Sequence, residues 1–325
     1  MRHVPSTGDV RFDEQVVVIT GAGRNLGRQY ALDLAARGAR VVVNDLGIAI
    51  SDTDGSGAAP ARNPALDVVD EIVAAGGAAV ANTDSVTTPE GGEAIVATAL
   101  DTWGRIDALI NNAGVVRQAP FADHTVDVYE PVIASQIGGH LNVTRPAWAA
   151  MAAQGGGRIL HVSSGAGLFG IPGMAAYATA KMAVVGLTRA LAMEGAPLGI
   201  GVNVIAPSAK TRPGGFGPIP ESPALHAWLA LDQVSALTVW LVHPDCPTTG
   251  ECFSVGGGYV GRVTLAVNAG YADRPLTPEK LRDAWTTVMA DGPWTPLPAG
   301  AGDVGRMLQG FDGAMPAGAD GAAPA

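Results

Sequence analysis

The chain has 325 residues with 30 acidic against 20 basic side chains, and its formal charge of −10 excludes the cationic face that general nucleic-acid binding requires. Hydrophobic residues make up 47% but aromatics only 5%, and the 44 glycines point to a core of small and branched aliphatic side chains with many tight turns. With no apolar run long enough for a membrane span, no apolar signal core in Met1–Thr7 and only two cysteines, Cys246 and Cys252, a cytoplasmic protein is expected.

From Val16 onward, short β-branched runs alternate with longer helix-like stretches. Val16–Thr20 reads as a buried strand, Leu26–Arg37 as a helix, and Arg40–Asn44 as the second strand. A helix near Leu66–Ala75, a strand at Ala78–Asn82, a helix at Gly91–Thr102 and a fourth strand at Ala108–Asn111 follow. Helical stretches near Val126–Met151 and Ala175–Met193 flank a strand at Arg158–Val162, with Ile200–Ile205 and Glu251–Val255 as sixth and seventh strands. Continuous apolar strands joined by amphipathic helices predict a doubly wound, Rossmann-type α/β fold with a seven-stranded parallel sheet. Residues 1–258 are expected to form this domain, 259–298 an extension with one helix at Pro278–Met289, packed on the core or a partner subunit, and 299–325 an Ala/Gly/Pro-rich tail, largely disordered. The loop Leu46–Pro64 is longer than such a connection needs, and Pro207–Pro223 is a candidate substrate lid.

The turn Thr20-Gly21-Ala22-Gly23-Arg24-Asn25-Leu26-Gly27 joins the first strand to the first helix. Glycines there let the backbone approach a pyrophosphate, which the helix N-terminus meets with N–H groups, so Gly21, Arg24, Asn25, Leu26 and Gly27 are candidate dinucleotide ligands. Asn25 stands where a third glycine is the easy choice, and asparagine tolerates left-handed backbone. Asp45, after the second strand, is placed to accept from ribose hydroxyls and to repel a 2′-phosphate, whereas Arg24 would attract that phosphate. Repulsion at the ribose is the more direct effect, so NAD is the expected cofactor. Asp84, beside Ser85, is either an acceptor for the adenine amino group or a helix cap. In Asn111-Asn112-Ala113-Gly114, small residues and an amide suit close passage of the backbone, with Asn111, Ala113 and Gly114 as candidates; Pro207 closes the sixth strand.

Tyr177 and Lys181 lie four residues apart on one helical face, with Ser164 thirteen residues before the tyrosine. A phenol near pKa 10 is a poor base at neutral pH, and an adjacent ammonium favours its ionised form. The six histidines show no metal-ligand spacing, most of them read as surface or hydrogen-bonded core residues, and no metal site is expected.

In this order and topology the glycine turn, Asp45, the Asn-Asn-Ala-Gly run, Ser164, Tyr177 and Lys181 resemble the short-chain dehydrogenase/reductase family. Segments such as Val42–Gly47, Val80–Val86, Val143–Trp148 and Leu276–Glu279 extend the resemblance. They resemble the (3R)-hydroxyacyl-CoA dehydrogenase unit of multifunctional β-oxidation enzymes, also called 17β-hydroxysteroid dehydrogenase type 4, from about Phe12 to Trp294. The resemblance implies Tyr177 as general acid/base, Lys181 as the residue that lowers its pKa and holds the nicotinamide ribose, and Ser164, rather than Ser163, as the carbonyl-orienting hydroxyl. Gln136 stands where many members carry a catalytic asparagine, and Ser208 replaces a frequent glycine after Pro207. The chain ends Ala-Pro-Ala rather than in a Ser-Lys-Leu peroxisomal signal. The implied substrate is a small molecule, a (3R)-hydroxyacyl-CoA or alternatively a hydroxysteroid or other apolar alcohol; Arg117, Lys210 and Arg212 are either contacts for CoA phosphates or solvated surface charges. The implied assembly is a homodimer or homotetramer without membrane or nucleic-acid partners. A non-catalytic nucleotide sensor on this fold could dispense with the tyrosine and lysine, but this chain has both.

Overall fold

A computed structural model of the chain describes residues 8–48, 61–210 and 222–297. Strand β1 (Val16–Thr20) is buried along its whole length and lies between β2 (Arg40–Asn44) and a later strand, parallel to both. Alternate residues of β1 enter different cores. Val17 and Ile19 pack with Tyr30 and Leu34 of helix α1 (Asn25–Ala36), while Val16 and Val18 pack with Ile95, Val143 and Met151 on the opposite face. A strand covered on both faces has no polar side, which is why β1 reads as an unbroken apolar run.

Helix α2 (Pro64–Ala74) is capped by the Asn63 side chain and starts with proline, and α3 (Pro89–Trp103) is capped by Thr88 and stopped at Gly104, whose φ is 74°. Between them runs β3 (Ala78–Asn82), and β4 (Ala108–Asn111) follows. The long helical stretch comes next as α4 (Val126–Ile133), one π-helical turn (Ala134–Gly138) and α5 (Gly139–Gln154). Then come β5 (Gly157–Val162), α6 (Gly165–Phe169), α7 (Ala175–Gly195) and β6 (Ile200–Pro207). Helices α8 (Pro223–Trp228) and α9 (Asp232–Leu241) precede β7 (Cys252–Gly256) and β8 (Tyr259–Val263).

The sheet order is β3-β2-β1-β4-β5-β6-β7-β8, reversing direction of growth at β1 as a doubly wound fold does. The expected parallel strands are all present, but the sheet has eight strands rather than seven. Residues 259–263, read from the sequence as part of the extension, form an antiparallel edge strand on β7. The cause is Gly257 and Gly258, at φ 59° and 75°, which turn the chain back on itself.

The chain separates into two compact units, residues 1–263 and 264–325. In the second, β9 (Ala266–Val267) pairs antiparallel with β10 (Thr295–Pro296). The single helix expected at Pro278–Met289 is divided at Ala284 into α10 (Pro278–Asp283), capped by Thr277, and α11 (Trp285–Val288). Most of the candidate lid, with Arg212, the middle of the loop after Asp45 and the tail from 298 lie outside the described residues. Among the described residues no helix is long and apolar enough to cross a membrane, and no group of three His, Cys, Asp or Glu is placed to hold a metal.

Candidate active site

The glycine turn caps the C-terminal end of β1. Gly21 is left-handed at φ 62°, and so is Asn25 at 48°, the conformation that asparagine tolerates there. At Gly27 a Cβ atom would collide with the Gly21 carbonyl oxygen and the Asn112 amide, so only glycine keeps the first turn of α1 this close to β4. Asn112 closes the arrangement by donating from Nδ2 to the carbonyls of Thr20 and Gly21, both at 3.0 Å. The backbone N–H groups of Asn112 and Ala113 donate to Thr20 Oγ1 at 3.0 and 3.1 Å.

Asp45 is fixed by the same turn. Its Oδ2 accepts from the Gly23 N–H at 3.1 Å and its Oδ1 from the Gly47 N–H at 2.9 Å. Each carboxylate oxygen keeps a further lone pair for a hydroxyl. The Arg24 guanidinium donates to the Ile48 carbonyl at 2.9 Å, on the segment just after Asp45. Asp84 is not a helix cap, because Thr88 performs that task, accepting from the Gly91 N–H at 3.1 Å. Asp84 instead accepts from Asn82 Nδ2 at 2.8 Å, and Asn44 donates to both Asn82 Oδ1 and the Asp84 carbonyl, stitching the ends of β2 and β3 together. Ser85 Oγ meets Thr87 Oγ1 at 2.8 Å.

Asn111 is not directed at this cleft. Its side chain is buried and donates to Thr144 Oγ1 at 2.8 Å and to His161 Nδ1 at 3.3 Å. Successive strand residues point to opposite faces, so Asn112, absent from the expected ligands, is the amide that organises the turn.

Across the sheet, Ser164 lies just after β5 and caps α6, its Oγ accepting from the Ala166 N–H at 3.1 Å. Ser163 is buried and donates to the Lys181 carbonyl at 2.6 Å, which ties the end of β5 to α7. Lys181 Nζ lies 5.6 Å from the Tyr177 ring centroid and donates to the Val162 carbonyl at 2.6 Å. Burial pushes the lysine down to about 7.

Gln136 sits in the π turn. Pro131 lies one turn earlier, and Ser135 Oγ donates to its carbonyl at 2.8 Å while accepting from the Val115 N–H at 3.1 Å. The widened turn places the buried Gln136 amide against Gly114, where Nε2 donates to the Val115 carbonyl at 3.0 Å. Gln136 Oε1 has no protein partner. Pro207 ends β6, and Ser208 N–H donates to the Val255 carbonyl at 2.8 Å. Arg117, on the segment after β4, donates to its neighbour's carbonyl, that of Val116, at 3.1 Å.

One histidine departs from the expected hydrogen-bonded core role. His140 is buried and stacked on His161, ring centroids 5.1 Å apart, and both its ring nitrogens lack protein partners, as does Nε2 of His161. A buried polar atom left so costs about 1–3 kcal/mol.

These residues fit a dinucleotide: a turn that only glycine can form, a helix N-terminus, and a carboxylate held at the end of β2. The short chain dehydrogenase family matches residues 15–212. Peroxisomal multifunctional enzyme A of Dictyostelium discoideum is 42% identical over 294 residues, 89% of this chain and 64% of that protein. The peroxisomal hydratase-dehydrogenase-epimerase of Saccharomyces cerevisiae is 41% identical over 86% of this chain and 31% of its own length. The chain thus spans less than two thirds of either relative. A crystal structure of a short chain dehydrogenase from Mycobacterium avium superposes with a TM-score of 0.76 at 36% identity, covering 90% of this chain and 99% of that one. The expectation of a cytoplasmic protein does not stand, because these relatives are named as peroxisomal enzymes.

Proposed function

This chain belongs to the short-chain dehydrogenase family and is an oxidoreductase, and on that footing we propose that it interconverts (3R)-hydroxyacyl-CoA and 3-oxoacyl-CoA thioesters with NAD. The observation that carries the reaction is Tyr177 and Lys181 one turn apart on α7, with Lys181 bonded to the Val162 carbonyl and to Ser163, the residues just before Ser164. NAD, when bound, supplies the acceptor for the hydride. Tyr177 takes the proton of the alcohol, Lys181 favours the phenolate by its charge, and Ser164 orients the oxygen. Gln136, which the family resemblance sets where many members carry an asparagine, lies beside Gly114. Support for the thioester comes from the yeast relative, whose name joins a dehydrogenase to a hydratase. Adding water to an unsaturated thioester creates the hydroxyl that a dehydrogenase oxidises. The reading includes a homodimer or homotetramer, as the family resemblance implies.

The test is NADH absorbance with acetoacetyl-CoA and free ketosteroids side by side. The thioester is expected to exceed the steroids in kcat/KM by ~100-fold or more, as a site that binds a large polar handle discriminates against molecules lacking it. Turnover of steroids alone transfers the reading to hydroxysteroids; turnover of neither overturns it.

NAD preference is assigned to Asp45, which the backbone of Gly23 and Gly47 holds in place. Asp45→Ala removes a fixed charge facing the 2′ position, and kcat/KM with NADPH relative to NADH is expected to rise ~10- to 100-fold. Wild-type preference for NADPH would reverse the weighting of Asp45 over Arg24.

A further inference from the structure

The proposed NAD preference depends on where the chain holds the Asp45 carboxylate, and one side chain outside the glycine turn bears on that. Every polar group of Asp45 is engaged within the protein. Its N–H donates to the Asn82 carbonyl at 3.1 Å, its Oδ2 and Oδ1 accept from the N–H groups of Gly23 and Gly47, and its carbonyl accepts from Asn63 Nδ2 at 2.8 Å. Three of these four partners are main-chain groups, which persist whatever side chain the position carries. Asn63 is the exception, and it reaches Asp45 across eighteen residues, joining the two described ends of the long loop.

The surroundings admit this contact and pass it on. Gly47 is left-handed at φ 74°, and a Cβ there would lie 2.7 Å from Asn63 Nδ2 and displace the amide. The oxygen of the same amide is also used: Asn63 Oδ1 accepts from the Ala65 N–H at 2.9 Å and caps α2. Pro64, between them, packs against the glycine turn, since a Cβ on Gly23 would lie 2.8 Å from both Pro64 Cγ and Asp45 Oδ2. One amide thus couples the start of α2 to the carboxylate.

An aspartate has two side-chain torsions, so its carboxylate follows its backbone closely. With Oδ1 and Oδ2 tied to neighbouring N–H groups, a shift of the Asp45 peptide turns both oxygens together. Two adjacent ribose hydroxyls need two oxygens in line with them, and hydrogen bonds weaken steeply with misalignment. The same segment, through the Ile48 carbonyl, engages Arg24, the cation that would attract a 2′-phosphate.

We propose that Asn63 is a specificity-determining positioning residue for the cofactor: its bond to the Asp45 carbonyl holds the carboxylate where the adenosine ribose would meet it, and so favours NAD over NADP. This role rests on the NAD preference proposed for Asp45 and names the side chain that enforces it.

Asn63→Ser and Asn63→Asp separate the two halves of the amide. Each keeps an oxygen for the Ala65 N–H, but serine is one bond shorter and aspartate has no N–H to give. Without cofactor, the Tm of the serine variant should stay within about 2 °C of the wild type, because serine caps as well as asparagine. Amide hydrogen exchange at Gly47 should become ~10-fold faster. In fluorescence titrations its Kd for NADH should rise ~10-fold, while that for NADPH stays within about threefold. The aspartate variant should lose NADH affinity at least as far. A residue that served only to cap α2 would leave affinity and exchange at wild-type values in the serine variant, and that result, with a wild type that prefers NADH, overturns the inference alone. Either change without the other also overturns it. Wild-type preference for NADPH is read on the unmodified protein, and it removes the Asp45 reading and this role for Asn63 together.

Discussion

Tyr177→Phe is expected to lower turnover by ~1,000-fold or more while NADH binds nearly as in the wild type, measured by absorbance at saturating substrate and by NADH fluorescence titration. The substitution removes one oxygen and leaves the ring, which packs beside Val132, Ala176 and Ala180 and 5.6 Å from Lys181 Nζ. A residue with a packing role alone would tolerate the change. A proton-transfer residue would not, because the alcohol proton then has no acceptor of suitable basicity at the reacting oxygen. Hydride transfer from a neutral alcohol would have to develop charge on an unassisted oxocarbenium, and this sets the size of the loss. The Ser164 hydroxyl, proposed to orient the oxygen, is a far weaker base and offers no substitute. A variant turning over at near wild-type rate would remove Tyr177 from the chemistry and, with it, the family mechanism from this site.

How much of this was legible before the structure depends on whether a feature is local. The parallel strands announce themselves as β-branched runs because both faces are covered, and α2 and α3 carry their boundaries in Asn63, Thr88 and Gly104. That Tyr177 and Lys181 share one helical face was legible from their spacing, since helix geometry converts spacing into direction. Strand β8 was missed because the alternation of strand and helix stops at the very glycines that make its turn, Gly257 and Gly258. Helix α9 was missed in part because no side chain caps it. Asn111 and Asn112 are equivalent on paper, and only the pleat of β4 decides which amide enters the core and which braces Gly21. The histidine pair was illegible for a different reason. His140 and His161 belong to a helix and a strand whose packing alone brings the rings together.

Lys181→Met is expected to cost activity and to gain stability. The ammonium is nearly fully enclosed, and burial lowers its pKa from 10.5 to about 7. Between those values the unfolded chain holds a proton that the folded chain does not, so wild-type stability rises with pH across this window. Below about pH 7 both states are charged, and the folded protein bears the whole penalty of burying the cation. That penalty is at most about 5 kcal/mol. Methionine has a similar length and no charge, but it leaves the Val162 carbonyl without its donor, which takes back about 1–3 kcal/mol. A net gain of about 2 kcal/mol at pH 6 follows, an increase of several degrees in Tm for a domain of this size, and the gain should shrink by pH 9. Turnover should fall ~100-fold or more, because the phenol loses the charge that favours its ionised form. Thermal unfolding of both proteins without cofactor at pH 6 and 9 decides the matter. A methionine variant less stable than the wild type at pH 6, or an advantage that does not diminish at pH 9, would show that the lysine is not held against its own solvation. If the expected pattern is found, the fold carries Lys181 at a cost that only the reaction at Tyr177 explains.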